Sequence, residues 1–322
     1  MSMPLYILKR ILQSIPLLIM VSIISFIIIK LSPVDPLAEL KMNPAISAQV
    51  LQSEKVRLGL DQPYYKQYFN WAGNFVKGDM GVSSSGEKVA DRLAERIPNT
   101  LILMIAVIVV TWLIAIPLGI YSALHWKSPV DRFLTIISSV GMAVPTFFFA
   151  LLLLIFAVKT GWFPVGGLTS VGFENFSILH KVLDVVHHLI LPVTVLATAS
   201  LAGLQRQMRG NLLDVLESDY VKMARAKGLP ENQVIYKHAV RNAINPLVTL
   251  LGFEFASLLN GAALTEFVLQ YPGLGRLILE AVMKSDINLV MASLMIGTVM
   301  LILGNLIADI LLKIVDPRVN LD

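Results

Sequence analysis

The sequence predicts an all-α integral membrane protein of six transmembrane helices, and three observations predict it. Hydrophobic residues make up 56% of the chain and charged ones only 15%, well below the ~25% charge of soluble domains. Apolar runs of the length needed for a ~30 Å hydrocarbon core recur along the chain, and mean hydropathy is +0.72. Lys and Arg crowd the connections on one side of those runs.

The apolar runs lie at about 11–31, 101–124, 133–158, 189–204, 247–267 and 288–312. Backbone amides in lipid must be bonded within the segment, so each run is a helix. The first follows Lys9 and Arg10 as a signal sequence would, but it is too long and leads into "KLSPVDP" without a small-residue cleavage pattern. Residues 1–31 are therefore expected to be an N-terminus with a retained first span. The fourth run is the shortest, contains Pro192 and is expected to extend toward Gln205. The two terminal flanks, the 125–132 connection with Lys127 and Arg132, and the 205–246 loop carry thirteen Lys or Arg, against four in 159–188 and 268–287. Positive residues favour the inside, so both termini and the 205–246 loop are expected in the cytoplasm. Residues 98–318 form the transmembrane core and 319–322 a short tail. The extracytoplasmic segment 32–97, between helices 1 and 2, reads as helical. Asp61 supplies a cap near Pro63, and Tyr64, Tyr68, Trp71 and Phe75 follow at helical spacing. A small cap packing its own aromatics is the plain reading; the same residues would also serve as a docking surface.

Several chemistries are excluded. "GVSSSGEK" (81–88) departs from a phosphate-binding loop, because Glu87 precedes Lys88 and Val89 stands where a hydroxyl is needed. No other Gly-rich nucleotide loop exists, so ATP hydrolysis and cofactors are not expected in this chain. The absence of cysteine excludes disulfides, thiolate metal sites and cysteine nucleophiles. Five histidines occur without a G-x-S-x-G elbow, against a hydrolytic triad. His180, Asp184 and His188 recur every four residues and on a helix would share one face with metal-ligand chemistry. An interfacial helix with solvated polar groups explains them as well, and no bound metal is expected. A net charge of +4 gives no reason to expect nucleic acid.

The one long polar, basic run in the second half is "SDYVKMARAKGLPENQVIYKHAVRNAINP" (218–246). Ser218 or Asp219 caps a helix over 218–227, which ends where Gly228 adopts positive φ and Pro230 prevents continuation. A second helix starts near Glu231 and runs through Val234, Ile235, His238 and Val240. The small side chains of Ala224 and Ala226 would let another surface approach closely. A basic juxtamembrane loop touching lipid head groups explains the charge alone.

This stretch resembles the cytoplasmic loop of binding-protein-dependent ABC importer permeases, in the dipeptide/oligopeptide/nickel group. Gly228 matches the glycine of the broader E-A-A-x-x-x-G pattern and Ala224 its second alanine. Lys222 and Met223 replace the glutamate and first alanine, a departure similar to that group's own "ARAKGL" version. "GDMG" (78–81), "GMAVPTFFFALLLLIFAV" (141–158), "GWFPVGG" (161–167), "RQMR" (206–209), "TEFVLQYPGLGRLILEAV" (265–282) and "NLIADILLKIVDPR" (305–318) are similar to it too. The resemblance implies a multi-pass protein of a bacterial cell membrane with a type I importer-like fold. Its coupling helix would seat on an ATPase through Tyr220, Ala224, Arg225, Ala226, Lys227, Gly228, Val234, His238, Arg241 and Asn242. It implies a second homologous permease subunit, two ABC ATPase subunits carrying ATP and Mg2+, and an extracytoplasmic solute-binding protein. The implied cargo is a di- or oligopeptide, with nickel or a metal chelate as the alternative. An ATP-independent channel would need no coupling helix, and an intramembrane enzyme would need titratable residues converging across spans.

Polar groups inside spans are costly and mark function. Glu254, Ser257, Asn260, Gly261, Thr265 and Glu266 are expected along the translocation path. Glu254 would meet a cationic substrate group there, or serve as a structural carboxylate in a helix interface. Asn305 and Asp309 read as structural.

Overall fold

The computed structural model describes residues 3–31, 37–42 and 46–315. Among them the architecture is helical, and strand pairing is limited to one antiparallel bridge between Val82 and Lys88. The helices are α1 (Met3–Leu31), α2 (Ala38–Met42), α3 (Ala48–Arg57), α4 (Tyr64–Val76), α5 (Val89–Leu124), α6 (Pro129–Ala143), α7 (Thr146–Thr160), α8 (Ile178–Leu216), α9 (Asp219–Ala226), α10 (Arg241–Val268), α11 (Leu274–Met283) and α12 (Ile287–Val315). The tail 319–322 lies outside the described residues.

The parallel pair α5–α8 forms the spine of the molecule, Leu103 and Val107 lying by Val193 and Gly119 by Met208, and α10 packs between α8 and α12. Small residues set the spacing. A Cβ on Gly119 of α5 would come within 2.9 Å of the Gln205 carbonyl oxygen of α8, and one on Gly304 of α12 would run into the Phe255 ring of α10. α1 lies on the flank against α12, where Tyr6 Oη donates to Asp309 at 2.7 Å and Arg10 reaches the same carboxylate at 2.9 Å. Asp309 thus ties the first helix to the last. Helix α4 docks on α1 through Tyr68, whose ring meets Phe26 edge-on at 5.5 Å and whose hydroxyl lies 2.8 Å from Ser22 Oγ. Trp71 and Phe75 stack along the same face at 5.3 Å. The cap packs its own aromatics as expected, although α4 starts directly after Pro63 without a side-chain cap.

Among the described residues, four helices, α1, α5, α8 and α12, are long and apolar enough to cross a membrane. The run at 133–158, expected as one helix, is two: α6 and α7 meet at a 97° bend. Pro145 lacks an amide hydrogen and forces its predecessor out of the helical region, and Val144 is extended with ψ 122°. The fourth run, expected to be the shortest span, belongs instead to the longest helix, the 39-residue α8. Hydropathy marked only its apolar middle, and the helix continues in register at both ends; Ser177 caps it by accepting from the His180 amide. α5 likewise begins at Val89, within the stretch assigned to the external segment.

Candidate functional site

The basic stretch folds as a helical hairpin. α9 ends on a reciprocal pair of backbone bonds: Gly228 N donates to Arg225 O at 2.9 Å and Leu229 N to Ala224 O at 3.4 Å, with Gly228 at φ +72°. This double closure satisfies carbonyls the helix end would otherwise strand. At the other end Ser218 is the capping residue by position, but its hydroxyl donates back to Val215 O at 2.5 Å and caps nothing. After Pro230 the chain winds through a wide π-helical stretch, Gln233–Val240, that leads straight into α10. Such widened turns are uncommon and are frequent at functional sites.

The apolar face of the hairpin points into the protein. Val221 and Val234 are fully buried and Ala224 is 8% exposed, in one cluster with Met208, Leu212 and Val240. Ala224 and Val234, expected at a partner surface, are therefore internal packing. The reason is spacing: Val221 and Ala224 fall three apart and lie on the same side of α9. Each fully buried valine contributes roughly 1.5–3 kcal/mol relative to exposure, so apolar packing holds α9 to α8. Arg225 is also spoken for. Its guanidinium grips Glu231 across the turn, with Nη2 at 2.8 Å from Oε1, and holds that carboxyl below the usual carboxylate range. Tyr220 Oη accepts from Asn242 Nδ2 at 2.9 Å, and the same amide reaches the His238 carbonyl at 3.1 Å. What the hairpin presents outward is Tyr220, Met223 (59% exposed), Ala226, Lys227, Gly228, Leu229, Tyr236 (58% exposed) and Arg241.

A second set of contacts ties this hairpin to the rest of the molecule. Asp131, buried near the start of α6, takes two bonds from Arg209 of α8 at 2.7 and 2.8 Å, one from the Lys127 amide at 2.9 Å, and one from Ser122 Oγ of α5. Three helices meet on that one carboxylate, and its partner Arg209 lies between Met208 and Leu212, which pack against α9. Sequence reasoning missed Asp131. The available signal was an acidic residue between a helix-starting Ser-Pro and an apolar run, with Arg209 in the quoted "RQMR".

At the far end of α10 the expected path residues turn inward. Thr265 and Glu266 have no exposed surface. Glu266 accepts from Thr100 Oγ1 and from the Arg276 amide, both at 3.0 Å, while Thr100 Oγ1 accepts from the Leu274 amide at 2.7 Å. Tyr271 Oη donates to Asn99 O at 2.7 Å, and Asn99 Nδ2 returns a bond to Pro272 O at 2.8 Å. The "QYPGLG" corner between α10 and α11 is thereby fastened to α5. In this conformation Glu266 organises a corner and does not line an opening. Glu254 accepts from Trp112 Nε1 of α5 at 2.8 Å, and Ser257 is exposed. The side chains of Asn260 and Gly261 lie outside the described residues.

His180, Asp184 and His188 share a helix face, but only His188 Nδ1 and Asp184 Oδ1 approach one another, at 3.7 Å. Asp184 accepts from the Ser170 amide and hydroxyl, at 2.8 and 2.5 Å. His180 turns to Ser177 Oγ at 2.8 Å, and His188 Nδ1 lies 2.8 Å from the Asp184 carbonyl oxygen. No group of three metal-ligating side chains is assembled among the described residues.

Comparison with known proteins decides the family. The profile described as binding-protein-dependent transport system inner membrane component matches residues 115–321, and that of the N-terminal part of such components matches residues 3–104. The chain belongs to this family. It is 42% identical over 318 residues to the oligopeptide transport system permease protein AppB of Bacillus subtilis, covering 98% of this chain and 99% of that one. It is 36% identical over 317 residues to the glutathione transport system permease protein GsiC of Escherichia coli K12, covering 98% of each. As a member of this inner membrane component family the chain is a multi-pass bacterial membrane protein, and its apolar helices fit that setting. Thr100 of the Glu266 corner falls in the N-terminal match, and Glu266 itself with Asp131 and Arg209 of the clamp in the match over 115–321.

Proposed function

We propose that the chain is the permease subunit of an ATP-driven importer that carries di- or oligopeptides across the bacterial membrane. The relatives' names, oligopeptide and glutathione permeases, support the cargo class. In this reading α1, α5, the bent α6–α7 pair, α8, α10 and α12 make six crossings with both termini inside. A second permease subunit completes the pore, two ABC ATPases bind ATP and Mg2+ beneath it, and a solute-binding protein delivers cargo from outside.

The observation that carries the reading is the way α9 is held. A helix that transmits force must be stiff and attached to what it moves. α9 is closed at its C-terminal end, packed by Val221 and Ala224, and joined to α8, which at ~1.5 Å per residue is about 58 Å long. Asp131 passes displacement of α8 on to α5 and α6. The outward ridge of Tyr220, Met223 and Tyr236 suits a groove on a soluble partner. Sliding α9 would shift helices carrying Trp112 and Glu254, whose contact spans α5 and α10.

The test is uptake by the complex reconstituted in proteoliposomes, with labelled peptides and nickel in competition. ATP-dependent peptide uptake that nickel leaves unchanged is expected. Uptake without the ATPase subunits would overturn the mechanism, and displacement of peptide by nickel would overturn the cargo class. Because the chain has no cysteine, Met223→Cys supplies a single thiol for cross-linking to an ATPase subunit.

A further inference from the structure

Between the hairpin and the span that follows it, the helix is weakened twice in quick succession. The first weak point is the wide stretch Gln233–Val240. An α-helix bonds each carbonyl to the amide four residues on, and a π-helix to the amide five on. Where the wider winding gives way to the tighter one, one carbonyl is passed over, about four residues before the change. α10 begins at Arg241, which puts that carbonyl near His238, and the Asn242 side chain donates to His238 O at 3.1 Å. The same amide nitrogen donates to Tyr220 Oη of α9 at 2.9 Å. The second weak point is Pro246, inside α10. It brings no amide for the carbonyl of Asn242, four residues back, and its ring crowds that carbonyl. The neighbouring carbonyl, that of Ala243, accepts from Asn211 Nδ2 of α8 at 3.1 Å.

We propose that Asn242 and Asn211 are positioning residues for transport, locking this joint so that displacement of α9 reaches α10 instead of being absorbed by two weak turns. The inference rests on the transport reading and adds a route into α10 that the contacts of α8 with α5 and α6 do not supply. A side-chain amide carries two hydrogens, so Asn242 closes the passed-over carbonyl and ties α9 with one group. Asn211 fastens the next turn to α8, the helix that carries Arg209. With both in place, α8, α9 and the first turn of α10 move as one body. Glu254 stands twelve residues beyond Asn242, about 18 Å along the helix. With the joint unlocked, α10 would flex at Pro246 and leave Glu254 behind. Tyr220 and Asn242 are exposed, so water competes for their bond until a partner subunit covers it.

The test is the number of peptides imported per ATP hydrolysed by the complex in proteoliposomes, for Asn242→Leu, Asn211→Leu and the double variant. The ratio should fall about fivefold in each single variant and little further in the double, because both residues act on one joint. Asn211→Gln, which keeps the donor, should recover most of the ratio. Unchanged ratios in both single variants would overturn the proposal. So would uptake and hydrolysis falling in proportion, the mark of a purely structural role. Failure of the transport reading shows in the wild type, as uptake without ATP; failure of the lock shows only in the variants. If the variants do not assemble, hydrogen exchange of the wild-type complex decides the matter. Amides 237–244 exchanging as slowly as 205–212 of α8 support the lock, and exchange as fast as in the exposed helix α3 refutes it.

Discussion

Two carboxylates, Asp131 and Glu266, organise opposite ends of this protein, and each is held by partners from other helices. Asp131 takes a two-pronged grip from Arg209. Removing one partner of such a pair leaves the other uncompensated, which costs about 3 kcal/mol in buried settings; Arg209 keeps some solvent contact, so roughly 2 kcal/mol is expected. Asp131→Asn should lower the thermal midpoint of the purified complex, and Asp131→Leu with Arg209→Leu should recover part of the loss. Equal midpoints for wild type and Asp131→Asn would show that the clamp is idle. At the other end, Gly273 has no room for a methyl group, because its Cβ would run into the Glu266 carboxylate. Gly273→Ala should cost about 1–3 kcal/mol through overpacking, read as a lowered unfolding temperature. Glu254 differs from both, having the indole of Trp112 as its hydrogen-bond donor. Since a glutamine oxygen accepts that bond equally well, Glu254→Gln should leave assembly and basal ATPase intact while slowing peptide uptake. Unchanged uptake kinetics would remove Glu254 from the path.

At the scale of elements, the hairpin of α9 is the part whose properties follow from the fewest bonds. Gly228→Ala places a side chain at φ +72° and should cost about 1 kcal/mol locally. Faster hydrogen exchange at Gly228 and Leu229 and a weaker dependence of uptake on ATP are expected; an unaltered exchange pattern would show that the turn tolerates the strain. The Arg225–Glu231 clip has a defined pH range. Its carboxyl is depressed relative to an unpaired one. The contribution is therefore complete above the ordinary glutamate range of about 4.3 and lost as pH falls through the lower folded value. Exchange at the turn should be flat from neutral pH down to about 5, once corrected for intrinsic rates, and should respond to salt because the pair is exposed. A change between pH 6 and 8 would point to another group.

Over the whole molecule, what could be read in advance followed the strength of the local signal. Long apolar runs and the Gly228–Pro230 stop belong to single segments: the stop appears where expected, and the runs fall in helices although the one at 133–158 is broken in two. The direction in which a side chain faces depends on distant partners. For that reason Ala224 and Val234, read as contact residues, prove to be core, and Glu266, read as path, proves to hold a corner. The break at Val144–Pro145 had a visible cause in the proline, but an apolar run across it hid the change of direction. Asp131 went unnoticed because its importance lies in Arg209, which is 78 positions away.

That right-angled break also says something about solitary life in a membrane. Each arm has 15 residues, about 22 Å of helix, too little to traverse a hydrocarbon layer of ~30 Å unaided. The amides and carbonyls released at the elbow tolerate no contact with acyl chains. A subunit made without company should accordingly be a target of cellular proteases, and co-synthesis with its companions should lengthen its half-life.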